Sequence, residues 1–309
     1  VIYIQKDNYI LAENQTAEYS DILTEKDLKD NYEVAMAALR AKVEDVNKCV
    51  VSVDIEQPFS DVPTIESSQT EVAGLVVANI NSTYLVLTSS SLLEPGMNYI
   101  VRLSDEVQTE AAFVCRNTAS GIGIVSINAS KLTAEQRNSI AVAQLDNSYM
   151  VNQGDLVIAS GKLYETSKGV SYGTIAGSKV EYSKDSGYEV FETSVSITAG
   201  GFAILFNSEG NVVGVSKAST DTSTKFIGIS DLKAQIETMI NEHGIMYCGI
   251  TGQNVTEELA VKYGLPSGVY ISNVDIDSPA YYAGLQAGDV ISAINGQSIL
   301  TIQQFSEKL

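Results

Sequence analysis

The chemistry open to this chain is bounded first by what is scarce in it. One histidine, His243, and three cysteines, Cys49, Cys115 and Cys248, are spread over 309 residues. Zinc sites take several Cys and His ligands at short spacing, and no such cluster is present, so no metal is expected. Three widely spaced cysteines build no disulfide framework and read as small buried hydrophobes. Cys248 follows His243 by five positions, but a thiolate nucleophile needs an oriented imidazole, and nothing nearby would orient this one. No phosphate-cradling GxxxxGK[ST] loop occurs, and no cofactor is expected. The 38 Asp and Glu residues read mainly as solvated surface. Ser183-Lys184-Asp185-Ser186 and similar tracts carry no recognised signature. Sequons such as Asn14-Gln15-Thr16 and Asn254-Val255-Thr256 are patterns frequent by chance.

Charge narrows the partners. Nineteen Lys and Arg against 38 acids leave a net charge of -19. Such a surface repels phosphate backbones and anionic lipid, which excludes general nucleic-acid binding. The length implies about two domains, and the composition, 44% hydrophobic and 18% charged, is ordinary for a globular core. No stretch approaches the roughly 18 apolar residues of a membrane span. The chain opens at Val1 rather than Met, and the expectation is a mature fragment with a signal or membrane anchor upstream.

The elements that must position any site follow from periodicity. Val1-Ile2-Tyr3-Ile4 and Tyr9-Ile10-Leu11 read as short strands or a tail. Thr24-Glu25-Lys26-Asp27 resembles a capping box. Leu28, Tyr32, Met36, Leu39, Val43 and Val46 then recur every three or four residues, which predicts an amphipathic helix over 25–47. It either packs on its own domain or serves as a stalk or oligomer contact. From Cys49 to about Gly228 the period becomes two, in many short apolar segments separated by turn signals, which predicts a sandwich or barrel; about 180 residues suffice for two small barrels. A helix is expected at 230–242, N-capped by Ser230, with Leu232, Ile236 and Ile240 as its buried stripe.

A new unit starts near Gly244. Tyr247-Cys248-Gly249-Ile250, Gly268-Val269-Tyr270-Ile271, Ser278-Pro279-Ala280, Ala283-Gly284-Leu285, Ala287-Gly288-Asp289-Val290-Ile291 and Ile294-Asn295-Gly296 follow in order. Gly284 and Gly288 suit positions with positive φ, Asp289 can hold a turn through its side chain, and Asn295-Gly296 is a two-residue hairpin signal. Together these motifs resemble a bacterial PDZ domain. The resemblance implies a peptide-binding groove, with Tyr247, Cys248, Gly249 and Ile250 as the carboxylate loop and a helix near Ile302 as the far wall, where Phe305 and Leu309 are available. The chain ends at Leu309, before the last strand such domains have, so a truncated module is expected.

The middle of the chain then resembles the HtrA/DegP family of envelope serine proteases. Ala73-Gly74-Leu75-Val76-Val77 is similar to the family's early glycine-containing strand. Leu87-Thr88-Ser89-Ser90-Ser91-Leu92-Leu93 stands where the family has Leu-Thr-x-x-His-Val-Val. Gly121-Ile122-Gly123-Ile124-Val125-Ser126-Ile127 stands where it has Asp-Leu-Ala-Val-Leu-Lys-Ile, and Ile197-Thr198-Ala199-Gly200-Gly201 where it has Gly-Asn-Ser-Gly-Gly. Asn211-Val212-Val213-Gly214-Val215 matches the next strand.

This alignment puts Ser91, Gly121 and Ala199 at the His, Asp and Ser positions of the triad, with Ile197 and Thr198 in a degenerate oxyanion loop. Without base, orienter or nucleophile, proton transfer from a serine has no route. The resemblance therefore implies a mainly β fold: a trypsin-like double β-barrel over 49–243, a small α/β PDZ domain over 244–309, and an N-terminal segment, 1–48, carrying the helix. The functional expectation is an inactive protease homologue in the cell envelope. It binds peptides or protein C-termini as a sensor or scaffold, and the family's trimers imply a homo-oligomer. Two rivals stand beside it. One is a serine-type endopeptidase with a site rebuilt from Ser89, Ser90, Ser91 and Thr198. The other is a structural surface protein whose groove is filled by its own chain.

Overall fold

A computed structural model describes residues 25–55, 71–104, 107–164, 168–217, 222–241 and 247–309. The N-terminal strands, the capping box at Thr24 and His243 lie outside the described residues. The first helix, α1, runs Glu25–Val46. Its expected apolar stripe is only partly covered: Tyr32 is exposed, Met36 and Leu39 are half-buried, and Val46 is buried. Val43 to Leu309 form one compact body.

Six antiparallel strands close the first barrel: β1 (Val50–Ile55), β2 (Val72–Ile80), β3 (Thr83–Ser89), β4 (Asn98–Arg102), β5 (Gln108–Asn117) and β6 (Ile122–Asn128), in the order β1-β2-β3-β6-β5-β4. Gly74 is required by this closure, because a Cβ there would lie 2.6 Å from a Val86 methyl and 2.8 Å from a Val53 methyl. After a short helix, α2 (Ala134–Asn138), the second barrel comprises β7 (Leu156–Gly161), β8 (Gly169–Ser183), β9 (Ser186–Ile197), β10 (Ala203–Asn207), β11 (Val212–Ser216) and β12 (Ser223–Gly228). Strand β9 shows why period two builds it. Phe191, Thr193, Val195 and Ile197 point into the barrel, whereas Glu192, Ser194 and Ser196 face water. The barrels pack on one another where β2 meets β7 and β10, and Ser160 Oγ reaches Asn47 Oδ1 across 3.1 Å.

The helix after the second barrel departs from expectation at its start. A 3-10 turn, Ile229–Leu232, precedes α3 (Lys233–Ile240), and Ser230 does not cap it. Ser230 Oγ instead accepts from the Ser148 N–H at 2.9 Å, and Ser148 Oγ accepts from the Ser230 N–H at 3.0 Å. This reciprocal pair, 82 positions apart in sequence, satisfies the hydroxyl a local cap would have used. The buried stripe is Leu232, Ile236 and Met239, with Ile240 only half-buried.

The C-terminal module contains β13 (Ile250–Asn254), α4 (Glu257–Tyr263), β14 (Val269–Val274), α5 (Pro279–Tyr282), β15 (Val290–Ile291), β16 (Ala293–Ile294), β17 (Gln297–Ser298) and α6 (Ile302–Lys308). Its core is Ile250, Val269, Ile271, Ala280, Ile299, Ile302 and Phe305. Asn295 and Gly296, at φ 50° and 77°, form the β16–β17 turn, and Asp289 Oδ2 accepts from the Gln286 N–H at 2.9 Å.

Candidate functional site

The loop Tyr247–Ile250 leads into β13 and is pinned to α5 and to the end of β14: the Ala280 N–H donates to the Cys248 carbonyl at 2.9 Å, and the Asp275 N–H donates to the Gly249 carbonyl at 2.8 Å. Gly249 takes φ +91°, and a Cβ on it would sit 2.2 Å from Ser278 Cβ, so both backbone and space demand glycine. This geometry turns three successive N–H groups toward one point, and a carboxylate occupies it. Cys248 donates to Asp185 Oδ2, Gly249 to both oxygens and Ile250 to Oδ1, all at 2.9 Å.

Asp185 comes from the β8–β9 hairpin of the second barrel. It shares the two-residue turn with Lys184, takes φ +55°, and is buried. Its own N–H donates to the Ile250 carbonyl at 2.8 Å, and Lys184 forms an antiparallel bridge with Thr251. The hairpin packs against β13 and α6, the two walls of the groove. On the α6 side Ser186 and Ser306 share a hydroxyl hydrogen bond of 2.9 Å. Gly187 lies so close to α6 that a Cβ would be 2.3 Å from Ile302 Cγ2. Lys184 Nζ reaches Asp275 at 2.7 Å, and the Tyr247 hydroxyl donates to the same carboxylate at 2.8 Å. The Lys184 hydrogen bond, helped by that of Tyr247, holds Asp275 below the usual carboxylate range. The same ion pair raises Lys184. Burial, with Asp185 nearby, pushes the Cys248 thiol up, so Cys248 remains a thiol that contributes its backbone N–H.

The other residues read as peptide-binding are placed differently. Tyr247 is exposed and holds Asp275; Ile250 and Phe305 belong to the module's core; Leu309 is half-buried against that core. Asp185, Lys184 and Asp275 were not anticipated. Nothing local distinguishes Asp185 from the other acids, because its partners lie 63 to 65 positions away.

The protease-like positions lie on the barrels. Ser91 follows β3 and is exposed, its Oγ 2.8 Å from Ser89 Oγ. Gly121, at φ +78°, opens β6, and the Ser90 N–H donates to its carbonyl at 2.9 Å, so these two segments adjoin. Ala199 is exposed on the turn after β9. That turn is bonded within its own barrel: Gly201 donates to Thr198 O at 2.9 Å, Thr198 to Leu163 O at 2.9 Å, and Lys162 to Phe202 O at 2.8 Å. Ile197, expected from the resemblance at the oxyanion-loop glycine, is buried in the second barrel's core.

Comparison with known proteins agrees with this layout. Residues 72–215 match the trypsin-like peptidase domain, and residues 270–309 match the PDZ domain. A probable periplasmic serine endoprotease, DegP-like, of Pseudomonas savastanoi pv. phaseolicola is 27% identical over 226 residues, covering 70% of this chain and 46% of its own length. Its counterpart from Marinomonas sp. is 27% identical over 255 residues, covering 79% of this chain and 52% of its own. The chain thus spans about half the length of the curated relatives it matches. Among solved structures, the HtrA-type protease AlgW with decapeptide superposes with a TM-score of 0.59 at 19% identity, covering 87% of this chain and 89% of that one. The tripeptide complex of AlgW gives 0.58 at 21% identity, covering 85% of each chain.

Two closed six-stranded barrels followed by this module define a trypsin-like fold joined to a PDZ domain. The chain is HtrA-like. Among the described residues no helix is long and apolar enough to cross a membrane.

Proposed function

We propose that this chain is a catalytically inactive HtrA-like protein that binds peptides or unfolded segments through its PDZ groove, as a sensor or scaffold. The observation that carries the reading is the convergence of three backbone N–H groups on one carboxylate. That is the chemistry needed to capture a peptide's C-terminus by strand addition. The inactive half of the reading rests on the resemblance that puts Ser91 at the histidine position, Gly121 at the aspartate position and Ala199 at the nucleophile position, so that none of the three holds the group its role needs, and the single His243 lies beyond the barrel strands in sequence. Domain limits of 1–48, 49–243 and 244–309 accompany the proposal, as does assembly into a homo-oligomer. Relatives named as periplasmic support an extracytoplasmic site of action.

The test is a titration of the whole chain with peptides ending in an apolar residue, with free and with amidated C-termini. Free termini are expected to bind with micromolar-order affinity and amides not at all; equal binding would remove the carboxylate role. A fluorogenic-peptide or casein assay tests the other half. Turnover lost on changing Ser91 or Thr198 would restore the rebuilt hydrolase. One observation favours a second reading, the structural surface protein: the groove holds the protein's own hairpin. A groove that no peptide enters would decide for it.

A further inference from the structure

The hairpin does more than cover the groove; it reproduces a bound peptide end. Asp185 supplies a carboxylate to the three N–H donors and its own N–H to the Ile250 carbonyl. Lys184, one residue upstream, pairs antiparallel with Thr251 as an added strand would. In this register Asp185 occupies the place of a terminal residue and Lys184 that of the penultimate one. The penultimate place has a receptor of its own: the Asp275 carboxylate, oriented by the Tyr247 hydroxyl, accepts Lys184 Nζ.

We propose that the β8–β9 hairpin tip is an internal ligand of the PDZ groove, and that peptides with a free C-terminal carboxylate and a basic penultimate residue displace it. The proposal rests on the peptide-binding reading above and adds to it a closed state and a ligand class. The tip is suited to leave. Lys184 is exposed, Ser183 and Ser186 are half-buried, and the contact is made mostly of polar groups that water can satisfy. A register shift between Ile175 and Gly177, in a stretch where a Cβ on Gly177 would meet nothing, gives the ribbon a point at which to bend away from its barrel. Because the internal ligand is tethered, it competes at high effective concentration, and the apparent affinity of any peptide falls by the fraction of time the groove is open.

The experiment uses the full chain, fluorescein-labelled peptides ending Lys-Val and Glu-Val, each as acid and amide, and amide hydrogen exchange across 247–251. Asp185→Gly removes the carboxylate and relaxes the positive φ; Asp185→Asn keeps the turn and the shape but discharges the side chain. Asp185→Gly is expected to bind the Lys-Val acid at least about tenfold more tightly than wild type, with Asp185→Asn between them. Gly187→Val, which pushes the tip off Ile302 without touching the loop, is expected to act in the same direction. Asp275→Asn in the Asp185→Gly background is expected to abolish the preference for Lys-Val over Glu-Val.

Equal affinity in wild type and Asp185→Gly would overturn the internal ligand while leaving peptide binding intact. Equal affinity of Asp185→Gly for Lys-Val and Glu-Val would overturn the ligand class. If no form bound any peptide, the peptide-binding reading would fall, and exchange would decide the closed state separately. Protection of the 248–250 amides that is lost in Asp185→Gly sustains it; unchanged protection sinks it.

Discussion

Two turns of the chain, 198–202 on the second barrel and 247–250 ahead of β13, differ in how they are held. At the turn 198–202 the frame persists: Gly200 keeps φ +68°, and Gly201 sits where a Cβ would lie 2.4 Å from the Lys162 carbonyl. Ala199, where the nucleophile would stand, presents a methyl group. At the loop 247–250 the proposed function would coincide with the frame, because its working groups are backbone N–H donors, and all three are engaged by Asp185. A site built from side chains can be lost by single substitutions that leave the fold untouched, which is what the proposed inactive reading requires of this turn. A site built from backbone is kept as long as the turn is kept, and here the turn is kept by one glycine.

That contrast can be sharpened by reversing it. Ile197, which the sequence resemblance sets at a glycine of the protease motif, has its side chain buried among Leu163, Val195 and Phe226 of the second barrel. Returning glycine to 197 is expected to cost about 3–5 kcal/mol through the cavity and the loosened backbone. Chemical denaturation of the full chain measures it; a cost under about 1 kcal/mol would show that the position is not committed to the core.

Gly249→Ala attacks the other turn. Positive φ and the 2.2 Å approach to Ser278 Cβ should together cost about 2 kcal/mol or more, felt in the C-terminal module rather than the barrels. Peptide binding and the protection of amides 248–250 should be lost together, while barrel amides keep theirs. Retained binding would mean that the loop's donors are not organised by this glycine.

How much of this was legible in sequence follows the same division. The Asn295-Gly296 turn, the positive-φ sites Gly284 and Gly288 and the Asp289 bond lie within a few residues of their partners, and all appear as read. Period-two apolar segments marked the barrels because each strand must present one face to the core. What escaped was long-range polar pairing. Ser230 reads as a cap because capping is a local rule, but in the fold it pairs with Ser148. Asp185 sat in a tract with no signature because its meaning lies in three amides of another domain. Carboxylates are almost never buried unless paired, so nothing local marks this one for burial.

A smaller effect is expected from pH. Lys184 is exposed and Asp275 only half-buried, so their contribution to closure is modest and partly screened by salt. The sign is set by Asp275, whose folded value lies below its unfolded one: the contribution is complete above the unfolded value, about pH 4, and is lost as pH falls through the lowered folded value. Lys184 is raised, so its part is complete below the unfolded lysine value and lost only as pH rises through the raised folded one. Protection of the 248–250 amides, corrected for intrinsic exchange, should therefore stay level through neutrality and decline in acid. Asp275→Asn removes the Asp275 contribution: it should start with lower protection near pH 6 and converge with wild type in acid. Parallel curves would show that Asp275 does not set the acid response.

The smallest expected effect is none, and it bears most directly on the contrast between the two turns. Ala199→Ser returns a hydroxyl to a turn whose glycines are in place. A hydroxyl at its ordinary pKa needs a base to take its proton as it attacks, and the base needs an orienting partner. Ser91 and Gly121 supply neither, and Ile197 is committed to the core rather than to an oxyanion loop. Ala199→Ser is therefore expected to cleave a fluorogenic peptide no faster than wild type, and to show no labelling by a fluorophosphonate probe. The triple change Ser91→His, Gly121→Asp, Ala199→Ser asks whether the frame alone was preserved. Labelling in the triple variant but not the single one would show that only side chains were lost, whereas labelling of Ala199→Ser alone would mean that a base operates in this barrel and that the inactive reading is wrong.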